Sequence, residues 1–178
     1  MHAWDGRAPK VGEKAPDLSL LDAAGKPKPL SAVAGRRPLI VLVFAGTDDA
    51  DGLRLLRDYR YETLAIWRTG AAICAVAPAD PAALRYLRAE SALAFPLLAD
   101  PDGAALAGWG MLRRSGLFLL DGGGVVKHRA VGPSAAPEAV LSILRRGGVR
   151  RSRSGLWERA AHLAHVVQHA FRTLRPAR

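Results

Sequence analysis

The hydrophobic pattern of the chain predicts alternating strands and helices. Two uninterrupted apolar runs, at 38–44 and 71–77, are typical of central parallel strands with both faces buried. Between them, a turn rich in helix-capping residues at 46–52 opens a predicted helix that ends near Arg68, before Gly70. The buried side of this helix is expected to carry Leu53, Leu56, Leu64 and Trp67.

The remaining elements complete an α/β domain. A loop is expected at 25–29, and a hairpin is expected around the glycines at 122–124, between strands at 117–121 and 125–129. The other predicted elements are a strand at 18–21, a helix that starts at 78–81 and carries Leu84, Tyr86 and Leu87, an extended piece at 95–100, a brief helix ending at 109–110 and a closing helix at 137–146. This order implies a mixed sheet that is covered by helices on both faces.

The C-terminal part of the chain differs in composition from the rest. Residues 1–147 are predicted to form one domain, 148–155 a basic linker, and 156–178 an amphipathic helix and tail, with the helix ending near 174. Nine arginines and one glutamate lie between 143 and 178, so most of the net charge of +10 belongs to this end. An anionic partner is therefore expected to bind at the C-terminal part.

Composition also limits the class of protein. The chain contains one cysteine, which excludes an internal disulfide and a cysteine-rich metal site. It lacks an apolar run of about 18 residues that could span a membrane. Its first residues lack the charged-then-apolar pattern of a signal peptide. The sequence predicts a cytoplasmic protein, and attachment to a membrane surface or to a larger complex stays open.

Three segments carry a family resemblance. They are Ala-Pro-Asp at 15–17, Phe-Pro-Leu-Leu-Ala-Asp-Pro-Asp-Gly at 95–103 and Gly-Leu-Phe-Leu-Leu-Asp at 116–121. Together with the order of the elements, they resemble the peroxiredoxins, the alkyl hydroperoxide reductase/thiol-specific antioxidant (AhpC/TSA, redoxin) branch of the thioredoxin-like superfamily. The resemblance covers about residues 8–147. It implies a thioredoxin-like fold with a mixed central sheet.

The catalytic motif that this resemblance implies is absent. Peroxiredoxins carry Pro-x-x-x-Thr-x-x-Cys after the central strand and an arginine before a later strand. Their cysteine attacks peroxide, and the threonine and the arginine polarise the oxygens and lower the thiol pKa. Here the corresponding positions hold Gly46, Ala50, Leu53 and Ser115, the last with Arg114 beside it. The resemblance thus implies a degenerate active site without a nucleophile, and no cofactor is expected.

Two other features could supply chemistry to the domain. Cys74 lies within the apolar run at 71–77, where a free cysteine usually behaves as a small hydrophobic residue; its alternative role is that of a redox thiol. Asp48, Asp49 and Asp51 lie in the turn before the first long helix. Carboxylates there most simply cap the helix and interact with its dipole, since a metal or acid–base site needs carboxylates from several elements.

The predicted C-terminal helix has two distinct faces. Its apolar positions repeat at spacings of three and four, as in a helix-packing seam, and they are Trp157, Ala160, Ala164, Val167, Phe171 and Leu174. The opposite face carries His162, His165 and His169, a spacing that can chelate a transition metal, although a solvated polar face is favoured. The small seam residues favour a protein partner or self-association over an anionic membrane, and the clustering of arginines at the helix ends disfavours nucleic acid.

These observations support three hypotheses about function. The favoured one is a peroxiredoxin-like protein without the peroxidatic site, which is not an enzyme and acts as an interaction or scaffold module docking through its basic C-terminal helix. The second is an atypical antioxidant thiol oxidoreductase that acts through Cys74. The third and least favoured is a metal-binding accessory protein that uses His162, His165 and His169.

Overall fold

The computed structural model describes residues 8–147, in which seven strands and five α-helices alternate. In chain order the elements are β1 (Ser19–Leu21), β2 (Pro27–Pro29), α1 (Leu30–Ala34), β3 (Leu39–Val43), α2 (Ala50–Arg68), β4 (Ala72–Ala77), α3 (Pro81–Glu90), β5 (Leu97–Ala99), α4 (Ala104–Gly108), β6 (Gly116–Leu120), β7 (Val126–Val131) and α5 (Pro137–Arg146). A 3₁₀ turn at Gly132–Ser134 leads into α5. The order confirms the predicted α/β class.

The seven strands form one mixed sheet in the order β2-β1-β5-β4-β3-β6-β7. Strands β3, β4 and β5 are parallel, whereas β6 runs antiparallel to β3 and β7 runs antiparallel to β6. All residues of β3 and β4 are buried, as expected of central parallel strands covered on both faces. The carboxyl ends of the three parallel strands therefore meet at one edge of the sheet, named the carboxyl edge below.

Helices cover both faces of the sheet. On one face, Ile40 and Leu42 of β3 pack in a cluster with Leu56 of α2, Leu84 of α3 and Leu141 of α5. On the other face, the alternate β3 residues share a cluster with one residue from each of the two short helices; these residues are Val41, Val43, Leu30 of α1 and Leu106 of α4. Successive side chains of a strand point to opposite faces, so the continuous apolar run at 38–44 supplies both layers.

Two predicted details are wrong. Residues 25–29 were expected to form a loop, but Pro27–Pro29 forms strand β2 at the edge of the sheet, where proline is tolerated because one side of the strand needs no ladder hydrogen bonds. Leu64, which is expected on the buried side of α2, is exposed at 54%. Tyr59 and Ile66 occupy the buried side of α2 instead, because that helix has more apolar residues than its packed face can hold.

Some predictions lie outside the described residues. These are the basic linker at 148–155, the amphipathic helix at 156–174 with its apolar seam, and the histidines of its polar face. Within 8–147, no helix combines the length and the apolar character that crossing a membrane requires.

Candidate functional site: the turn between β3 and α2

The turn from β3 into α2 lies at the carboxyl edge, where the family motif would place its cysteine. Gly116 of β6 pairs with Val43 of β3, so Ser115 lies level with Phe44, and its side chain reaches Ala45, the second residue after the strand. The Ala45 N–H extends beyond the strand ladder and donates to two side chains. Its acceptors are Ser115 Oγ at 3.2 Å and Asp49 Oδ2 at 3.0 Å.

Asp49 is the residue that closes this turn. The Ser115 hydroxyl donates a short hydrogen bond to Asp49 Oδ2, so one carboxylate oxygen joins the end of β3 to the start of β6. Asp49 is also the N-cap residue of α2 by position, but its side chain makes no capping hydrogen bond. The expectation that it caps the helix is therefore corrected. The carboxylate faces the Ala45 N–H instead, because that half-buried donor has no strand partner.

The environment of Asp49 keeps its carboxyl group ionised. Partial burial raises its pKa, but hydrogen bonds from Ser115 and from the backbone N–H of Ala45 outweigh burial, and the nearby N–H groups of Gly52 and Asp51 lower the pKa further without forming a capping hydrogen bond. The resulting pKa lies below the ordinary value of 3.8. The carboxylate is negative at neutral pH, and the positive end of the helix dipole favours that charge. Asp48 and Asp51 are exposed at either side of it.

A glycine makes room for this arrangement. A Cβ atom placed on Gly52 would lie 2.4 Å from Phe44 Cβ and 2.5 Å from Asp49 Oδ2, closer than real Cβ atoms approach other atoms. Gly52 therefore lets the first turn of α2 lie against the end of β3 with the Asp49 carboxylate between them. The sequence pattern did not single out this glycine. The signal that could have revealed it is a residue that disfavours helices, placed directly after the aspartate-rich start of a predicted helix.

The four degenerate positions are distributed around this turn. Gly46 lies in the turn, Ala50 is the exposed first residue of α2, and Ser115 precedes β6. Leu53 is partly buried and packs against the core, and its backbone N–H donates to the Asp49 carbonyl at 2.8 Å. Of these four residues, only Ser115 joins a polar network through its side chain. Its partner is Asp49, which the sequence pattern did not link to it.

Cys74 lies away from this turn, in the middle of β4. It pairs in register with Val41, has 0% exposure and packs in the same cluster as Trp109 and Phe118. Complete burial raises the pKa of the Cys74 thiol to about 12. A nucleophilic cysteine needs the opposite setting, an accessible thiolate beside a positive charge or a helix N-terminus.

A second buried acid lies at the carboxyl edge, after β5. Asp100 Oδ2 accepts the N–H of Leu106 at 2.8 Å, and Oδ1 accepts the N–H of Ala105 at 3.3 Å. Burial raises the pKa of Asp100, and these two bonds partly offset that effect. The carboxylate therefore satisfies the N-terminal N–H groups of α4 and holds that helix to the sheet.

Other candidate ligands are not assembled into a site. Within 8–147, no group of three or more His, Cys, Asp or Glu side chains is placed to hold a metal ion. His162, His165 and His169, as well as the apolar seam, lie outside the described residues, so their roles stay predictions.

Comparison with known proteins identifies the family. The sequence profile of the AhpC/TSA family matches residues 11–129. Two proteins of Mycobacterium tuberculosis, from strains CDC 1551 / Oshkosh and ATCC 25618 / H37Rv, are named "Putative peroxiredoxin". Each is 29% identical to this chain over 120 residues, which cover 67% of this chain and 76% of the relative.

Solved structures agree in fold. Peroxidoxin BcpB from Mycobacterium tuberculosis superposes with a TM-score of 0.71 at 18% identity, covering 78% of this chain and 97% of that one. A thiol peroxidase from Chromobacterium violaceum superposes with a TM-score of 0.69 at 21% identity, covering 82% and 91%. With the sheet order and the matched profile, these likenesses show a thioredoxin-like fold of peroxiredoxin type. The chain belongs to the AhpC/TSA family.

Proposed function

We propose that this chain is a member of the AhpC/TSA family that does not reduce peroxides and acts as an interaction module. The observation that supports this most is the turn before α2, where Asp49 and Ser115 hydrogen-bond to each other and Leu53 packs against the core. The turn offers a carboxylate in place of a thiolate, and a carboxylate is too weak a nucleophile to attack the O–O bond of a peroxide.

The docking element in this proposal is the predicted C-terminal helix. Its apolar seam carries small residues that permit close packing against another helix, and arginines flank the seam at both ends. A protein partner, or a second copy of this chain, would cover the seam. This assignment rests on the sequence pattern of 156–174.

The competing function is thiol-dependent peroxide reduction through Cys74. The names of the relatives favour it, whereas the burial of Cys74 and its raised pKa oppose it. Any such activity must pass through this residue, because the chain has one cysteine.

A peroxide-consumption assay separates the two functions. The full chain is incubated with hydrogen peroxide or an alkyl hydroperoxide and dithiothreitol, beside the Cys74→Ala variant and an active peroxiredoxin. We expect the full chain and Cys74→Ala to match the protein-free rate. Consumption that is well above this rate and is lost in Cys74→Ala would establish the competing function.

The docking element has its own test. Val167→Glu places a charge in the predicted seam, and His162→Glu places the same charge on the opposite face. If the seam binds, Val167→Glu alone lowers self-association in sedimentation analysis or the affinity for a purified partner. Equal effects of the two variants would remove the seam from the proposal.

A further inference from the structure

Helix α2 presents a second face to solvent, away from the side that Leu56, Tyr59 and Ile66 bury in the core. The exposed side chains of this second face recur at spacings of three and four residues, so they form one stripe along the helix. The stripe, named the α2 outer face below, consists of Arg54, Arg57, Tyr61, Leu64 and Arg68. At about 1.5 Å per residue, the stripe is about 21 Å long.

Two apolar side chains form the centre of the α2 outer face. Tyr61 is 72% exposed and Leu64 is 54% exposed, and the two residues lie one helical turn apart. The guanidinium group of Arg60 lies over the Tyr61 ring, 5.8 Å from its centre, which is within the range of a cation–π contact. A single exposed apolar residue is ordinary on a protein surface, whereas two adjoining ones within a stripe provide a contact that a partner can cover.

Arginines flank this apolar pair on both sides along the helix. Arg57 and Arg68 are exposed, and neither forms an ion pair with a residue between 8 and 147. Asp58 pairs with Arg54 at 3.9 Å, and Glu62 lines the groove between α2 and α5 instead of the outer face. The α2 outer face therefore carries an unbalanced positive charge around an apolar centre.

We propose that the α2 outer face docks an acidic amphipathic helix of another protein. Apolar residues of that helix cover Tyr61 and Leu64, and its carboxylates pair with Arg57 and Arg68. A stripe at spacings of three and four residues is the pattern by which one helix packs along another. Tyrosine and arginine are also the residue types that are enriched at protein interfaces. This surface belongs to the folded domain, so docking here is independent of the C-terminal helix.

Charge disfavours the other parts of this chain as occupants. The segment 143–178 carries nine arginines and one glutamate, so it would meet the α2 outer face with like charge. A second copy that packed through the same face would bring arginine against arginine.

The composition of the face also favours a protein over nucleic acid or a membrane. Nucleic acid would stack a base on the Tyr61 ring, but Arg60 already lies over that ring, and the Asp58 carboxylate beside Arg54 would repel phosphate groups. A helix that lies in a membrane needs a broad apolar face, whereas this one exposes a single apolar pair between arginines.

Binding of a synthetic peptide tests this partner chemistry. The probe is a helical peptide with leucines at spacings of three and four residues and glutamates on either side of them. A scrambled peptide of the same composition has the same charge but no apolar stripe. In calorimetry, we expect the full chain to bind the probe about tenfold more tightly than the scrambled peptide. Equal affinities would show a general attraction to a basic chain and would contradict the proposal.

Substitutions on α2 distinguish this face from the basic C-terminal part, which also attracts acidic peptides. Tyr61→Glu should weaken binding of the probe about tenfold, because it places a negative charge at the centre of the contact. Tyr86→Glu on α3 is the matched control, since Tyr86 is 70% exposed, and it should leave the affinity unchanged. Circular dichroism verifies that both variants are folded. Equal effects of the two variants, or no effect of either, would place the peptide elsewhere and overturn the assignment.

Charge reversal tests the ionic part of the contact. Relative to the parent, Arg57→Glu with Arg68→Glu should lower the affinity for the probe about tenfold and raise the affinity for a peptide in which lysines replace the glutamates. An unchanged preference would show that these arginines do not select the partner. If single-stranded DNA or vesicles of anionic phospholipid bound more tightly than the probe and Tyr61→Glu abolished that binding, the face would belong to nucleic acid or to a membrane, and the assignment to an acidic helix would be wrong.

Discussion

The Asp49 carboxylate accepts a hydrogen bond from the Ser115 hydroxyl across the carboxyl edge of the sheet. These residues are 66 positions apart in sequence and join the first turn of α2 to the start of β6. In a family named for thiol-dependent antioxidants, this turn is where the resemblance places the reactive cysteine. In this chain a hydrogen-bonded carboxylate occupies the turn, and the single thiol lies in the core.

Asp49→Ala should destabilise the domain, because it leaves the Ala45 N–H and the Ser115 hydroxyl without their shared acceptor. We expect a loss of about 1–3 kcal/mol in the free energy of unfolding, the usual cost of removing a charged hydrogen-bond partner. Urea denaturation monitored by circular dichroism measures it. Asp48→Ala is the control, since this exposed neighbour makes no such contact, and it should stay within about 0.5 kcal/mol of the parent.

Ser115→Ala, alone and combined with Asp49→Ala, measures the coupling between the two residues. Side chains in direct contact typically show a coupling free energy of about 0.5–3 kcal/mol in a double-mutant cycle. We expect a value within that range. Strict additivity of the two single substitutions would show that the hydrogen bond does not contribute to stability.

Gly52→Ala should destabilise the domain because the added methyl group meets Phe44 Cβ at 2.4 Å and Asp49 Oδ2 at 2.5 Å. Overpacking of this kind costs about 1–3 kcal/mol. Gly108→Ala in α4 is the matched control, because nothing lies within 4 Å of its added Cβ. That substitution should stabilise the helix by up to about 1 kcal/mol. A thermal shift of the same sign for both variants would contradict the packing argument.

The contribution of Asp49 to stability should depend on pH. Since its pKa in the folded state lies below the ordinary 3.8, its contribution is complete above that value and is lost as the pH falls through the folded-state pKa. The contribution of Asp100 to stability has the opposite pH dependence. Its raised pKa adds stability at low pH, and that stability is lost as the pH rises through the folded-state pKa.

The measurement compares the free energy of unfolding of the parent with that of Asp49→Asn and Asp100→Asn from about pH 2 to about pH 6, a range that spans the ordinary and the shifted pKa values. The difference between parent and Asp49→Asn should shrink toward low pH, whereas the difference for Asp100→Asn should grow. Parallel curves for the two variants would be inconsistent with the environments described.

Cys74 should resist thiol reagents in the native protein. It has 0% exposure and its pKa is raised to about 12, so labelling requires unfolding of the sheet. The labelling rate of Cys74 at neutral pH should depend on the global free energy of unfolding and should rise in destabilised variants such as Gly52→Ala. An Ala104→Cys, Cys74→Ala protein serves as the exposed control and should react at once. Rapid labelling of native Cys74 would reopen the redox function.

Much of the architecture followed from the sequence. The apolar runs that became β3 and β4, the glycine-rich hairpin between β6 and β7, and α5 at 137–146 all have strong local signals. The faces of α2 were less well predicted, because Leu64 and Tyr59 both fit a helical repeat and only packing against α5 and the sheet decides which is buried. The sequence pattern did not predict the short strand β2 or the short helix α1 that follows it, for a related reason. A Pro-Lys-Pro strand is stable only as an edge strand beside β1.

The candidate site likewise combines features that the sequence shows with contacts that only the tertiary structure shows. The absence of cysteine, threonine, proline and arginine at the motif positions is a property of the sequence alone, as are the basic linker and the seam after it. The sequence alone could not reveal that Asp49 reaches Ser115 or that Gly52 makes room for its carboxylate. Residue identity is local information, whereas these contacts join segments that only the register of β3 with β6 and the packing of α2 against the end of β3 bring together.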